Sequence, residues 1–319
     1  MSTLSFPYEF GITAIDAQYV RPKFAGSHLI VEGDQAVFID TGTNYSVPGF
    51  MEVLKEKGLC AEKVRYIILT HIHLDHAGGA GALMKACPNA ELVVHGRGRR
   101  HMIDPSVLIK GTYAVFGKEN AVKLYGNISG VPESRVLTAE DEMTLSFNGR
   151  KLLFIDAPGH AKHHIAIWDE KSRGFFTGDA FGLSYRDFDT QQGEFILPTT
   201  TPIHFDPQAM RNTIDHILSY RPEAIYPTHF GRAREPEKLG AQLHNLIDRY
   251  LEIIAAHGDE SPESRHVNLQ KEMGKVLVTA LRKHAVTLSE EACLHLLAND
   301  IDLNAQGLAH WWDTRNKQR

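Results

Sequence analysis

Long apolar runs, paired cysteines and an excess of basic residues are all missing from this sequence of 319 residues. No stretch reaches the roughly 18 consecutive apolar residues that a membrane-spanning helix needs. Residues 1–9 show neither the basic nor the apolar segment of a secretory signal. These absences argue against a membrane partner and predict a cytoplasmic protein.

The cysteines and the charge balance exclude two further classes of protein. The cysteines stand far apart, so we expect reduced thiols rather than a disulfide framework or a thiolate metal site: Cys60, Cys87 and Cys293. With 34 basic and 39 acidic residues, the chain has a formal net charge of −5 and lacks the basic excess typical of nucleic-acid binding. We therefore expect a small-molecule substrate and no nucleic-acid partner.

One short basic cluster departs from this balance. Its members are His95, Arg97, Arg99, Arg100 and His101. Short charge runs are usually exposed, so we interpret the cluster as a solvated turn. Contact with a phosphate or carboxylate of a substrate is the alternative.

Strand and helix signals alternate up to about residue 235, and helical spacing of apolar residues fills the rest of the chain. This order predicts an α/β fold with a C-terminal helical extension, divided into residues 1–235 and 236–319. Residues 104–132 show no regular pattern. A long loop begins at Phe181 and ends at Pro202, and because such loops are usually functional, it is our candidate for a wall of the substrate pocket.

The strongest chemical signal is a run of potential metal ligands directly after the apolar strand of residues 66–69. The ligands are His71, His73, Asp75 and His76. Side chains alternate along extended backbone, so the first two histidines share one side, and a turn after His73 can aim the other two at a neighbouring point. A histidine-rich surface loop is the alternative, but clustered imidazoles and carboxylates indicate metals, and this spacing favours two adjacent ions.

Further residues of the same kinds follow separate strands, as a site along one edge of a sheet requires: His160, Asp179 and His229. Asp40 ends another apolar strand. Because a buried carboxylate needs partners, we interpret Asp40 as a residue that orients a metal ligand rather than as a turn former. His163 and His164 are interpreted as structural or near-site residues, not as ligands.

This pattern of histidines and aspartates resembles the signature of the metallo-β-lactamase superfamily, and the likeness covers roughly residues 20–232. The resemblance implies a four-layered αβ/βα sandwich with a dinuclear metal site at one edge of its two sheets. It also implies the ligand sets, which are His71, His73 and His160 for one ion, Asp75, His76 and His229 for the other, and Asp179 as the bridge. With its helical tail, the chain is similar to glyoxalase II thioesterases and, in size and layout, to quinolone-signal thioesterases.

The ligand set predicts a metal-dependent hydrolase with two divalent ions per chain, zinc first and iron or manganese as alternatives. Two ions lower the pKa of a shared water to near neutral, and the resulting hydroxide attacks a small ester or thioester. Asp75 and Asp179 are the candidate catalytic carboxylates. Three alternatives remain open: a diiron protein that binds oxygen or carries electrons, a lactone or phosphodiester hydrolase, and a regulatory ligand-binding protein. We expect the helical tail to pack on the main domain, and closure over the pocket or a homodimer contact are the alternatives.

Overall fold

The computed structural model describes residues 4–200 and 202–316 of the chain. Residues 1–3 and 317–319, at the ends of the predicted domains, and residue 201, in the predicted pocket loop, lie outside the described residues. The chain divides into two compact units. Unit 1 consists of Met1–Asp156, His163–Gly178 and Pro222–Ala233, and unit 2 of Ala157–Lys162, Asp179–Arg221 and Arg234–Arg319. The division predicted after residue 235 stays a prediction.

The first sheet has seven strands in chain order. They are β1 (Ser5–Pro7), β2 (Ile12–Asp16), β3 (Gly26–Glu32), β4 (Gln35–Ile39), β5 (Val64–Ile68), β6 (Glu91–His95) and β7 (Val136–Ala139). The pairs from β1 to β4 are antiparallel, and those from β4 to β7 are parallel. Parallel neighbours need a crossover. Helices α1 (Val47–Glu56), α2 (Leu74–Ala77) and α3 (Ala80–Ala86) lie in the first two crossovers.

The second sheet has six strands in the order β13-β12-β11-β10-β9-β8. Their bounds are β8 (Thr144–Phe147), β9 (Arg150–Asp156), β10 (Ile165–Asp169), β11 (Gly174–Gly178), β12 (Ala224–Pro227) and β13 (Ala233–Arg234). The turn predicted at Asn148-Gly149 joins β8 to β9, where Phe147 pairs with Arg150. β11 and β12 run parallel, so both strands end at the same edge of the sheet.

The central strands of the first sheet are buried on both faces. On one face, Phe38 and Ile67 pack with Phe50 of α1. On the other face, the neighbouring Ile39 and Ile68 belong to a core shared with strands of the second sheet. Unit 1 therefore contains a helix layer and two sheet layers, and its central strands read as continuous apolar runs because neither face meets water.

Helices occupy two segments for which the sequence predicted none. The basic cluster lies mostly on α4 (Gly96–Ile103), so its prediction as a turn is wrong, whereas Arg97 and Arg100 are exposed as expected. Residues 104–132 contain α5 (Ser106–Phe116) and α6 (Lys118–Tyr125), separated by Gly117 at a φ of 75°. Glycines at positions 96 and 98 weakened the helix signal, because glycine has low helix propensity.

Unit 2 is built on four helices, α7 (Pro207–Ser219), α8 (Pro236–His257), α9 (Pro262–Lys283) and α10 (Glu290–Asn316). Asp206 caps α7, where its Oδ1 accepts hydrogen bonds of 3.0 Å from the amides of Gln208 and Ala209. The last three helices confirm the predicted helical extension. Among residues 4–200 and 202–316, no helix is long and apolar enough to cross a membrane.

Candidate metal centre

The first histidines of the ligand run converge at the end of β5. The Nε2 atom of His71 and the Nδ1 atom of His73 lie 2.8 Å apart, and the ring centroids are 4.4 Å apart. His73 has extended backbone, with φ −64° and ψ 148°, and α2 begins at the next residue. As the sequence predicted, both rings face one side, and a turn follows them.

A second group of donor atoms forms where the turn meets the end of β12. The group is Asp75, His76 and His229, whose potential ligand atoms all lie within 4.8 Å of one another. The Oδ2 atom of Asp75 lies 3.2 Å from the Nε2 atom of His229 and 3.6 Å from the Nε2 atom of His76. Asp75 and His76, which follow β5, thus lie close to His229, which follows β12.

The Asp40 side chain forms hydrogen bonds with residues that follow β5 and β12. Asp40 is fully buried directly after β4, and its φ is 60°. The Oδ2 atom accepts hydrogen bonds from Nδ1 of His76 at 2.8 Å and from the Thr228 hydroxyl at 2.6 Å. The Oδ1 atom accepts one from the Thr70 amide at 2.8 Å. One carboxylate therefore holds His76 and both neighbours of the ligand-bearing tips, Thr70 and Thr228.

The hydrogen bonds also fix which ring nitrogen of each histidine carries the proton. The Nδ1 atom of His229 lies 2.7 Å from the carbonyl oxygen of Phe24. A carbonyl only accepts, so Nδ1 carries the hydrogen and Nε2 carries the lone pair. The Asp40 carboxylate favours the same tautomer in His76. Both Nε2 lone pairs then face Asp75, and these donors fit a divalent metal ion in both chemistry and orientation.

Unit 2 contributes the remaining predicted ligands, His160 and Asp179. The Nε2 atom of His160 lies 3.4 Å from the Oδ2 atom of Asp179, and both side chains are buried. The Nδ1 atom of His160 donates to the carbonyl oxygen of Thr199 at 3.2 Å, which again leaves the lone pair on Nε2. Asp179 directly follows Gly178, the last residue of β11, in the chain. That His160 and Asp179 form one site with the five candidate ligands of unit 1 stays a prediction.

Two further histidines of unit 1 lie beside the ligand run. The rings of His163 and His164 stack on the ring of His71, with centroid distances of 6.2 and 4.7 Å. A Cβ atom at Gly178, whose φ is 49°, would lie 2.5 Å from Oγ1 of Thr70 and 2.7 Å from Nε2 of His164. Glycine is therefore needed next to Asp179, because any side chain would displace these neighbours.

A pair of tyrosines lies near Asp75, and the sequence analysis had assigned neither of them a role in the site. The Tyr19 hydroxyl donates to the Tyr125 hydroxyl at 3.1 Å, and the two rings stack at 5.8 Å. Burial, and then the negative charge of Asp75, raises the pKa of Tyr125 to about 12 and also raises the pKa of Tyr19. Both hydroxyls therefore keep their protons at neutral pH. Tyr19 follows β2 by three residues, but no spacing of potential ligands marked either tyrosine.

The two facing sheets and the donor cluster at their strand ends define an α/β protein with a candidate metal centre. A family model described as the metallo-beta-lactamase superfamily matches residues 21–229, and the chain belongs to this superfamily. The predicted fold class, the metallo-β-lactamase fold with C-terminal helices, is thereby confirmed.

Three relatives illustrate the similarity. The metallo-beta-lactamase fold-containing protein of Sulfurisphaera tokodaii is 24% identical over 248 residues, which are 75% of this chain and 85% of that protein. Hydroxyacylglutathione hydrolase of Aliivibrio fischeri is 24% identical over 271 residues, which are 78% and 89% of the two chains. The solved structure of a metallo-beta-lactamase family protein from Thermus thermophilus is 20% identical, with a TM-score of 0.61 and coverage of 99% and 93%.

Proposed function

We propose that the protein is a metal-dependent hydrolase of small esters or thioesters, with thioesters favoured. The observation that carries the proposal is the group of Asp75, His76 and His229, whose donor atoms lie within 4.8 Å and whose ring protons point away from the group. The relative from Aliivibrio fischeri, which this chain matches over 89% of its length, is named as the hydrolase of an acylated glutathione. That name supports the thioester class.

The residues that would hold two divalent ions are those of the sequence prediction: His71, His73, Asp75, His76, His160, Asp179 and His229. Imidazole and carboxylate donors suit zinc first, with iron as the competitor. When bound, such ions supply Lewis-acid activation of a water molecule and of a carbonyl group. Asp179 is the proposed bridging ligand.

The protein's own groups prepare this chemistry by orientation. Hydrogen bonds to Asp40 and to the Phe24 carbonyl hold the rings of His76 and His229, so no reorientation is needed at the moment of reaction. The Asp75 carboxylate is an acceptor for a proton of a bound water. The Tyr19 hydroxyl donates its proton to the Tyr125 hydroxyl, which leaves the proton of Tyr125 as the hydrogen-bond donor for a substrate oxygen. A thiolate leaving group needs little assistance from an acid, so this set is sufficient for a thioester.

The first test combines metal analysis with turnover on the same sample. We expect about two zinc or iron ions per chain and hydrolysis of at least one member of a panel of small thioesters. The variant Asp179→Asn should lose turnover by roughly a thousandfold or more, because the proposed bridge is removed. Asp215→Asn is the matched control, since the Asp215 side chain is 67% exposed on α7.

Three results would count against a metal-dependent hydrolase of esters or thioesters. Protein without metal would contradict the seven-residue ligand set. Two irons without turnover, in a sample whose colour changes with oxygen, would favour the diiron alternative. Turnover of lactones or phosphodiesters but not of thioesters would keep the metal centre and change the substrate class.

A further inference from the structure

The long loop of unit 2 is fixed at several points by the helices of the same unit. Leu183 and Leu197 exchange two main-chain hydrogen bonds of 2.9 and 3.0 Å, which close the loop on itself. Gln242 of α8 donates to the carbonyl oxygen of Ile196 at 2.5 Å. The Tyr185 hydroxyl donates to Asp300 of α10 at 3.1 Å. A segment that the sequence marks only as a loop therefore has a defined conformation.

Asn304 of α10 forms three hydrogen bonds with Pro198 and Thr200, near the end of this loop. Its Oδ1 atom accepts from the amide of Thr200 at 2.6 Å, and its Nδ2 atom donates to the carbonyl oxygen of Pro198 at 3.3 Å. Its own carbonyl oxygen accepts from the Thr200 hydroxyl at 3.1 Å. Asn304 is only 1% exposed and Thr200 is equally buried. Two bonds from a buried side-chain amide and one from its own main-chain carbonyl fix the position of this short segment.

The Thr200 amide, which donates to Asn304, and the Thr199 carbonyl, which accepts from His160, belong to one peptide group. The carbonyl carbon of Thr199 is bonded to the nitrogen of Thr200, and a peptide group is planar, with its N–H and C=O pointing to opposite sides. Asn304 binds the N–H side, and the His160 ring binds the C=O side at 3.2 Å. A rotation of this plane moves both bonds together.

We propose that Asn304 is a positioning residue for the metal centre, which acts on His160 through the Thr199–Thr200 peptide group and so gives the C-terminal helix a role in metal affinity. The inference rests on the proposed function only in that His160 must bind metal. Partners that orient a metal-binding histidine typically contribute 10–100-fold in affinity. Since Asn304 acts one hydrogen bond further away, we expect an effect of roughly tenfold, at the lower end of that range.

The experiment measures zinc affinity of the full chain by competition with a chromophoric chelator, and the absorption spectrum of the protein loaded with Co²⁺. The variants are Asn304→Leu, which removes the side-chain bonds at similar volume, and Asn304→Asp, which keeps an acceptor for the Thr200 amide. The variant His160→Ala shows which zinc equivalent and which Co²⁺ bands depend on His160. Asp302→Asn is the control, because Asp302 lies on the same helix and accepts hydrogen bonds from His266 and Gln270 of α9.

We expect Asn304→Leu to weaken one of two zinc equivalents about tenfold and to shift the same Co²⁺ bands as His160→Ala. Asn304→Asp should retain most of the affinity, and Asp302→Asn should match the unmodified protein. A purely structural role would lower the unfolding temperature of Asn304→Leu without singling out one zinc equivalent, and that result would overturn the inference.

The failures of the two proposals are distinguishable. If His160→Ala binds both zinc equivalents normally, the ligand assignment is wrong and the role of Asn304 falls with it. If His160→Ala loses one equivalent while Asn304→Leu stays within twofold of the unmodified protein, only the role of Asn304 is wrong. Should Asn304→Leu fail to fold, Asn304→Ala decides by the same two results.

Discussion

The two units of this protein hold their candidate ligands in different ways. In unit 1 the ligands follow strand ends, and the buried carboxylate of Asp40 ties β4 to the tips after β5 and β12. In unit 2, His160 is oriented by a main-chain carbonyl, and the segment that offers this carbonyl is held by Asn304, a residue about a hundred positions later in the chain. One arrangement is local to a sheet edge, and the other depends on the C-terminal helix.

Removal of the Asp40 carboxylate should have the largest effect. Asp40→Ala leaves four buried donors without their acceptor, namely the Thr70 amide and hydroxyl, the Thr228 hydroxyl and Nδ1 of His76. We expect a loss of roughly 4 kcal/mol in the free energy of unfolding. The affinity for the ion that we propose His76 binds should fall by about 10–100-fold. Denaturant unfolding and chelator competition measure the two quantities.

The control for this variant is Asp34→Ala, since Asp34 is 66% exposed and pairs with the exposed Lys63. It should change neither quantity measurably. Equal metal affinity in Asp40→Ala and Asp34→Ala would show that the two units do not differ in the proposed way.

A second variant separates fold stability from the ligands within unit 1. His28 on β3 is buried against the rings of Phe176 and Tyr226, and burial lowers its pKa to about 4. The unfolded chain binds this proton near pH 6.5, so the contribution of neutral His28 is complete above pH 6.5 and is lost as the pH falls towards 4. The loss is about 3 kcal/mol.

His28→Phe removes the titrating group, so the free energy of unfolding should depend less on pH between 6.5 and 4. Urea unfolding at several pH values measures this slope. Zinc affinity at pH 7.5 should stay unchanged, because the His28 ring packs on Phe176 and Tyr226, which are not candidate metal ligands. An unaltered slope would contradict the assignment of the acid sensitivity to His28.

The smallest effect concerns the tyrosine pair of unit 1. Tyr125→Phe removes the acceptor of the Tyr19 hydroxyl and one donor near Asp75. We expect thioester turnover to fall about tenfold, or about 1.4 kcal/mol in the activation free energy, with metal content unchanged.

Tyr45→Phe is the matched control, since Tyr45 is 61% exposed and its hydroxyl donates to the carbonyl oxygen of Val122 on α6. Its turnover should equal that of the unmodified protein. A loss of metal in Tyr125→Phe would mean that the tyrosines support the ligands rather than the substrate.

The sequence predicted those features whose causes lie within a few residues. The run after β5 and the turn at Asn148-Gly149 were readable because spacing and turn chemistry are local signals. The helices α4 to α6 were not predicted, because glycines and weak periodicity mask helices that tertiary packing stabilises. The roles of Phe24 and Asn304 were invisible for another reason. Their contacts join distant segments, and a carbonyl acceptor is present in every residue.

The carbonyl acceptors of His229 and His160 have a consequence for how such a centre tolerates mutation. A substitution at position 24 or 199 changes a side chain but leaves the carbonyl oxygen in place, so the orientation of the histidine survives as long as the backbone path does. Asp40 has no such freedom, because the acceptor is the side chain itself. Residues 24 and 199 can therefore be substituted without loss of the carbonyl acceptors that orient His229 and His160. Backbone geometry is for this reason a better guide to related sites than residue identity at these positions.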